Sequence, residues 1–245
     1  METAGKVRVG VCCFEGKKKV PVFPTYEGYT NIVVMTKTYS KWSVIGPYEL
    51  KDEQERIMEN VWQGSKIYQS IPPISQTLRG TNQISWEHPA EIHIDENNNI
   101  TKEYWNWRYK LMNNLYPVRY PVGFEHRKNC VCAYAENDLM TPLDYIAGRK
   151  AIYSPLYIEL AKKHPQFEEL RQRHLAGENL LIIEVDGPHQ ESLPHYQEKY
   201  GVPDNWIENH TIEINRENLN IMLNDSKHAY GHGYCLASAL LGIEL

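Results

Sequence analysis

The chain has 245 residues, of which 42% are hydrophobic, and it carries a formal net charge of −5 at pH 7. This length and apolar content suffice for a full core, and the negative charge argues against a protein that coats polyanions without a local basic patch. Five cysteines without zinc-type spacing, and no apolar run of membrane-spanning length, predict a reduced cytoplasmic protein outside the membrane.

The first forty residues predict a small β layer. Short segments rich in β-branched and aromatic residues occur at 7–14, 20–23 and 31–35, separated by glycines and charged turns. We interpret residues 1–41 as an N-terminal β elaboration that precedes a main domain at 42–245.

A mixed polar and aromatic segment follows the loop at residues 42–50. We expect a helix that ends near Ser70, ahead of a Pro-Pro pair that cannot continue it. On such a helix Glu59, Gln63 and Lys66 point to one side, with Trp62 beside them, as in one wall of a binding site. The spacing alone favours a simpler interpretation, an amphipathic helix with a Glu/Lys pair on its surface and Trp62 in the core.

Residues 86–93 contain two histidines and two glutamates close together. A zinc site on a helix favours His-Glu-x-x-His, and a strand places alternate residues on one face. His88 and His93 satisfy neither spacing. We therefore expect no metal and no cofactor.

Four arginines within residues 74–127 are candidates for the site. Arg108, Arg119 and Arg127 are candidates for binding phosphate, because a planar guanidinium matches phosphate oxygens in pairs, whereas Arg79 could lie at the mouth of a pocket. Arg79 belongs to a basic, glycine-containing loop, and Arg108 to a helix that begins near residue 104. Arg119 and Arg127 flank a proline-rich extended segment. Pairing with carboxylates inside the fold is an equally good interpretation for each.

From residue 141 the pattern is mainly helical. Thr141 and Ser154 each precede a proline, which predicts two helix starts, and Gly177 predicts a helix end. The continuous apolar run at 180–185 predicts a central strand buried on both faces. Glu184 at its end is then a buried carboxylate that needs a partner.

The last part of the chain predicts a helical insertion at about 187–224, then Asp225 and a glycine-containing turn. Gly231 and Gly233 permit close backbone approach, either to a ligand or to a neighbouring strand. An apolar helix at 234–241 belongs to the core. These elements together predict an α+β fold, mostly helical around a small β-sheet.

Three blocks resemble the NADAR superfamily in the order expected for that family. They are Glu59-x-x-x-Gln63-x-x-Lys66, the apolar strand ending in Glu184, and Asp225 ahead of residues 230–233. The chain departs from the family pattern in the third block, where a tyrosine replaces the usual tryptophan and two extra residues follow the aspartate. The resemblance covers about residues 42–245, and residues 10–14 are also similar to proteins of T-even-like phages.

The resemblance implies a single NADAR-like domain that hydrolyses N-glycosidic bonds. Its substrate would be ADP-ribose attached to guanine in nucleic acid, or a phosphoribosylamino intermediate. By position, it assigns catalytic roles to Lys66, Glu59 and Asp225. Residues assigned to substrate binding, by the resemblance or by their predicted place beside it, are Trp62, Gln63, Tyr48, Glu184, Tyr230, Gly231, Gly233, Arg79 and Arg119.

Such a set of residues permits more than one chemistry. Carboxylates could stabilise positive charge on the sugar or activate water, and a neutral Lys66 could attack the anomeric carbon and form a Schiff base. Nearby Glu59 and Asp225 would oppose deprotonation of Lys66. A protein that only sequesters an ADP-ribose-like nucleotide, and an enzyme that transfers a sugar during phage DNA modification, remain alternatives.

Overall fold

The computed structural model describes residues 4–36, 38 and 40–245, and it confirms a mixed α+β architecture. The strands are, in chain order, β1 (Val7–Val11), β2 (Cys13–Glu15), β3 (Val20–Val22), β4 (Thr30–Val33), β5 (Lys66–Tyr68), β6 (Ser70–Ile71), β7 (Ile74–Thr77), β8 (Ile84–His88), β9 (Glu91–Ile92), β10 (Cys130–Ala135), β11 (Asp138–Leu143), β12 (Leu180–Glu184) and β13 (Thr211–Glu213). The α-helices are α1 (Met58–Gly64), α2 (Lys102–Met112), α3 (Tyr145–Gly148), α4 (Ser154–Lys162), α5 (Pro165–Leu175), α6 (Leu193–Tyr200), α7 (Arg216–Asn224) and α8 (His232–Leu241).

The chain forms two compact units. One, called here the split unit, combines residues 1–46 with 154–245, and the other, the inserted unit, comprises residues 47–153. Within the described ranges, no helix combines the length and the apolar character needed to cross a bilayer.

The split unit is built on a four-stranded sheet of order β13-β1-β12-β4. Strand β12 pairs in parallel with both β1 and β4, and β13 pairs antiparallel with β1. Every residue of β12 is buried, as expected for a continuous apolar run in the middle of a sheet. Helix α8 packs against β1, β12 and α4 and closes the core.

This sheet differs from the organisation predicted for the two ends of the chain. Strands β1 and β4 are not an elaboration that ends at residue 41, because they flank β12 in the sheet. The region at 187–224 is not entirely helical, since β13 lies within it. Both differences arise from pairings between residues far apart in sequence, which a local pattern does not reveal.

The inserted unit contains the three-stranded sheet β11-β10-β5 and the antiparallel pairs β6–β9 and β7–β8. Helix α2 packs against α1, and its N-cap Thr101 accepts a hydrogen bond from the Tyr104 N–H at 3.3 Å. The buried core around α2 is strongly aromatic. Its members include Tyr68, Trp86, Tyr104, Trp107 and Leu111.

Helix α1 is shorter than predicted, and this changes the setting of Lys66. The helix ends at Gly64, and Lys66 begins β5, where it pairs with Ala133 of β10. Gly64 allows a close approach to α2, because a Cβ atom there would lie 2.7 Å from the Cγ of Met112. The prediction of one continuous helix through Lys66 is therefore wrong.

Of the two helix starts predicted at Thr141 and Ser154, the first is wrong and the second is confirmed. Thr141 lies in β11, and the N-cap of α3 is Asp144, whose Oδ1 accepts a hydrogen bond from the Ala147 N–H at 2.7 Å. Ser154 is buried as the first residue of α4 and directly follows a π-helical turn, Arg149–Tyr153.

Candidate functional site

The N-terminus of the inserted unit contains a group called here the Lys66 cluster, formed by Glu59, Trp62, Gln63 and Lys66. The Nζ of Lys66 donates to the Oε1 of Gln63 at 2.9 Å, and the Nε2 of Gln63 donates to the Oε1 of Glu59 at 2.9 Å. The same Nζ lies 4.5 Å from the centre of a Trp62 ring. The structure thus brings together the four side chains that the sequence placed on one helix face, although Lys66 reaches them from a strand.

Burial governs the electrostatics of Lys66. Burial is the largest cause of its lowered pKa, and the positive charge of Arg119 lowers that pKa further, whereas Cys130 and Glu59 act in the opposite direction. The residue nevertheless keeps part of its surface exposed. A lysine with these two properties is accessible and more easily deprotonated than an ordinary surface lysine.

Backbone contacts fix Glu59 and the aromatic wall beside it. The Glu59 N–H donates to the Pro47 carbonyl at 2.9 Å. This bond holds the preceding loop against α1, and the next residue of that loop is the half-buried Tyr48. Trp62 is buried, and its ring centre lies 5.4 Å from that of Tyr153. Trp62 therefore acts mainly as a packed wall, and its predicted contact with a substrate stays a prediction.

Asn60 is a structural residue of this region that the sequence interpretation missed. Its side chain is fully buried and bonds three backbone groups, the Asn114 and Tyr116 carbonyls at 3.1 and 3.0 Å and the Val118 N–H at 2.8 Å. These bonds fix the chain just before Arg119. The sequence signal that could have identified it is an asparagine, a poor helix former, in the middle of a predicted helix.

The four candidate arginines have different surroundings. Arg79 is exposed in the turn between β7 and β8, whereas Arg119 is half-buried and acts electrostatically on Lys66. Arg108 is buried and donates to the Tyr104 hydroxyl and the Tyr134 carbonyl, so it serves the fold. Arg127 donates to the Phe124 carbonyl. Of the four, Arg119 is the one whose charge acts on Lys66, and its predicted binding of phosphate stays a prediction.

His88 and His93 lie within the aromatic core of the inserted unit. Both ring nitrogens of His88 lie 2.8 Å from carbonyl oxygens, those of Pro89 and Pro121. The His93 ring centre lies 5.1 Å from that of Trp107, and burial lowers the pKa of His93. These contacts account for the burial of both histidines as parts of the core.

The split unit contains a second group, called here the Glu184 cluster, formed by Glu184, Gly231, His232 and Gly233. The Oε1 of Glu184 accepts a hydrogen bond from the Gly233 N–H at 2.9 Å, in the first turn of α8. The Oε2 of Glu184 lies 3.1 Å from the Nδ1 of His232, an ion pair without well-aligned hydrogen-bond geometry. A carboxylate at this end of a helix interacts favourably with the helix dipole.

His232 is held between two acceptors. Its Nδ1 faces Glu184, and its Nε2 lies 3.0 Å from the Val34 carbonyl oxygen, so only the doubly protonated ring can donate to both. Burial is the largest single influence and lowers the pKa of His232, but the nearby Glu184 carboxylate and the bond to the Val34 carbonyl outweigh it and leave the pKa raised.

The two glycines make room for the Glu184 carboxylate. A Cβ atom at Gly231 would lie 2.1 Å from its Oε2, and one at Gly233 would lie 2.8 Å from its Oε1. The close approach expected at these positions is therefore to a side chain of the protein itself. Tyr230 is buried and stacks on Tyr234, with ring centres 5.1 Å apart, so its predicted contact with a substrate stays a prediction.

A third group, called here the Asp225 cluster, comprises His195, Lys199, Asp225 and His228 of the split unit. The Oδ1 of Asp225 lies 3.0 Å from the Nε2 of His195 and 3.5 Å from the Nζ of Lys199. The Oδ2 lies 2.6 Å from the Nδ1 of His228 and accepts the His228 N–H at 3.2 Å. Asp225 has no exposed surface.

Hydrogen bonding keeps this carboxyl ionised. Burial is the largest influence and would raise the pKa of Asp225, but hydrogen bonds from His195, His228 and the Lys227 N–H hold that pKa well below its usual value of 3.8.

Of the three predicted catalytic residues, Glu59 and Lys66 share one cluster in the inserted unit. The catalytic role of Asp225, in the split unit, stays a prediction.

Comparison of the chain with protein-family models, with curated proteins and with solved structures gives no match. The three clusters and the chemistry that their side chains permit are therefore the available guide to function.

Proposed function

We propose that this protein is an N-glycosidase that uses Lys66 to cleave the bond between a ribose and a base in an ADP-ribosyl or phosphoribosyl-like adduct. The observation that supports it best is the state of Lys66, which is partly exposed although burial lowers its pKa. A nucleophilic lysine requires this combination, because only the neutral amine attacks carbon and only an accessible amine meets a substrate.

The reaction requires one bond to form as another breaks. Neutral Lys66 forms a bond from Nζ to the anomeric carbon, the C–N bond to the base breaks, and the base leaves with a proton. The proton lost by Nζ passes to Glu59 or to solvent and is delivered from there to the nitrogen of the leaving base. Ring opening then gives a Schiff base, and water breaks the Nζ–carbon bond to release the sugar as an aldehyde and restore the amine.

The remaining residues of the Lys66 cluster position these groups. Gln63 accepts from the ammonium of Lys66 and donates to Glu59, so one amide fixes the direction of both side chains. Arg119 supplies a positive charge close enough to affect Lys66, as binding of a sugar phosphate would require. These features favour a substrate that carries phosphate next to the reacting ribose, such as ADP-ribose attached to guanine in nucleic acid, whose removal would serve a phage as a counter-defence.

The test is a mass-spectrometric product assay on a panel of substrates. The wild-type chain and Lys66→Met are incubated with ADP-ribosylated DNA and RNA, free ADP-ribose, NAD and phosphoribosylamino-pyrimidines. Borohydride added during turnover should attach the sugar covalently to Lys66 in the wild type. Lys51→Met is the matched control, because Lys51 is an exposed lysine of the same unit that pairs with Glu55.

Two outcomes would overturn the proposal. Intact substrates across the whole panel, with ADP-ribose bound and returned unchanged, would identify a sequestering protein. Full activity in Lys66→Met would exclude any chemical role for this amine.

A further inference from the structure

Three side chains of the Asp225 cluster offer metal-ligating atoms. His195, Asp225 and His228 each contribute one such atom, and these atoms lie within 4.8 Å of one another. In a tetrahedral zinc site, ligand atoms bonded at about 2.0–2.2 Å lie roughly 3.4 Å apart. The Asp225 oxygens lie 3.0 Å from the Nε2 of His195 and 2.6 Å from the Nδ1 of His228, so small movements of these side chains away from one another would admit an ion. Two imidazoles and a carboxylate are a donor set that zinc and similar ions accept, with a fourth position open to water.

We propose that His195, Asp225 and His228 form a binding site for a divalent transition metal ion of the zinc class. The site revises the sequence-based expectation that the chain holds no metal. It does not rest on the proposed N-glycosidase reaction, because its residues belong to the split unit and Lys66 to the inserted unit.

The backbone prepares Asp225 as a ligand. Asp225 and His228 are three positions apart in a tight turn, a spacing that places two ligands on one side of an ion. The N–H groups of Lys227 and His228 donate to the carboxylate at 3.4 and 3.2 Å. Hydrogen bonds of this kind orient a ligand before the metal arrives.

The carboxylate of the site is buried, whereas its two histidines are partly exposed, as entry of a metal ion requires. Asp225 has 1% of its side chain exposed and forms the floor of the site, while the side chains of His195 and His228 are 16% and 26% exposed. An ion could therefore approach past the two rings and reach the Asp225 carboxylate at the floor of the site.

Lys199 is the residue that opposes metal binding. Its Nζ lies 3.5 Å from the Oδ1 of Asp225. The ammonium therefore occupies part of the space that the ion would take, and it already compensates part of the carboxylate charge. The Lys199 side chain is 44% exposed and can turn outward. The alternative is that the cluster is only a hydrogen-bonded support for the fold. If the cluster binds a metal ion, removal of the Lys199 charge should strengthen that binding. If the cluster only supports the fold, there is no metal binding for the substitution to strengthen.

A second group with ligand atoms in the same unit provides a control. Cys13, His189 and His210 also bring one potential ligand atom each within 4.8 Å. The Nδ1 of His210 already accepts a hydrogen bond from the Gln190 N–H at 3.2 Å, which makes this group the weaker candidate. Because it contains a thiol, cobalt bound there would show a thiolate-to-metal charge-transfer absorption that a site of nitrogen and oxygen ligands lacks.

The experiment titrates the metal-free full chain with Co²⁺, followed by absorption spectroscopy, and then displaces the cobalt with Zn²⁺. We expect saturable binding at one site, with tetrahedral visible bands and no thiolate charge-transfer absorption. His228→Gln and His195→Gln should each weaken binding by at least about tenfold. Lys199→Met should strengthen it by about two- to fivefold, because a competing charge is removed. Cys13→Ser should bind as the wild type does.

Three results would overturn the proposal. They are no saturable binding, a thiolate absorption that disappears in Cys13→Ser, and weaker binding in Lys199→Met. If a histidine variant loses its native circular dichroism, the comparison of wild type with Lys199→Met still decides, because that substitution changes a largely solvent-exposed side chain.

Discussion

The Oε1 of Glu184 accepts a hydrogen bond from the Gly233 N–H at 2.9 Å, so the last residue of the central strand caps the first turn of α8. A buried carboxylate is costly unless it is bonded and its charge is matched. The helix N–H supplies the bond, and His232 supplies the charge.

Gly231 should tolerate no side chain. In Gly231→Ala the new Cβ would lie 2.1 Å from the Oε2 of Glu184, so the buried carboxylate or α8 must move. We expect a loss of about 3 kcal/mol or more in the free energy of unfolding, measured by chemical denaturation. Gly28→Ala is the control. Gly28 has φ +77 and open space around it, and its replacement should cost only about 1–2 kcal/mol. Equal losses would contradict this account.

The Glu184–His232 pair should make stability depend on pH on the alkaline side. Because the pKa of His232 is raised in the folded protein, its contribution is fully present below the unfolded value of about 6.5 and is lost as pH rises through the folded value. We expect the difference in unfolding free energy between wild type and His232→Gln to shrink at alkaline pH. A difference that is constant from about pH 6 to 9 would show that His232 does not titrate as proposed.

Asp225 should act in the opposite direction. Its folded pKa is depressed, so its contribution is present above the unfolded value of 3.8 and is lost as pH falls below it. Near neutral pH, Asp225→Asn should cost about 2–3 kcal/mol in the free energy of unfolding, since its side-chain partners keep some exposure. Acid titration of both proteins, followed by circular dichroism, should bring their stabilities together. Equal stability at neutral pH would mean that the hydrogen bonds to this carboxylate contribute little.

Lys66→Met should reduce kcat by at least about a hundredfold, the usual scale for removing a nucleophile or an acid/base group. The fold should survive, because the partly buried Lys66 side chain is replaced by an apolar side chain of similar length. In the wild type, kcat should rise with pH as Lys66 deprotonates, with a midpoint below the usual lysine value of 10.5. A midpoint at or above that value would contradict a lowered pKa.

Asn60→Ala should destabilise the inserted unit by about 2–4 kcal/mol, because the change leaves one N–H and two carbonyls without their buried partner. Asn113→Ala is the control, since Asn113 makes an exposed bond to the Tyr109 carbonyl. We also expect a higher KM for a phosphate-bearing substrate. Asn60 holds the backbone at Val118, and without that bond the adjacent Arg119 would be less well positioned. An unchanged midpoint of denaturation would remove Asn60 from this role.

The sequence predicted those elements whose cause is local. The apolar run of β12, the helix of small apolar residues α8 and the end of α5 near Gly177 follow directly from composition and turn chemistry. The end of α1 could not be predicted in this way. Lys66 leaves the helix because β10, more than sixty residues later, offers it a partner strand.

The functional clusters show the same limit. The grouping of Glu59, Gln63 and Lys66 was visible in the sequence because these residues are neighbours along the chain. Asp225 was visible as a single acid, and His228 is three positions away. His195 reaches Asp225 across thirty positions, and nothing in the local pattern of α6 indicates that contact.

The pairing of β12 with β1 and β4 also constrains the order in which the protein folds. Val9 pairs with Ile182, and Ile182 with Ile32, so the sheet depends on contacts between residues roughly 150 or more positions apart. Contacts of such high sequence separation form slowly, because a long loop must close before they contribute any stability. During synthesis on a ribosome, β1 and β4 emerge long before β12, the strand with which both pair. Their backbone groups stay without these partners until β12 has been made. The strands of the inserted unit pair among themselves within residues 47–153. We expect pulse-labelling hydrogen exchange to protect the inserted unit first and β1 among the last strands.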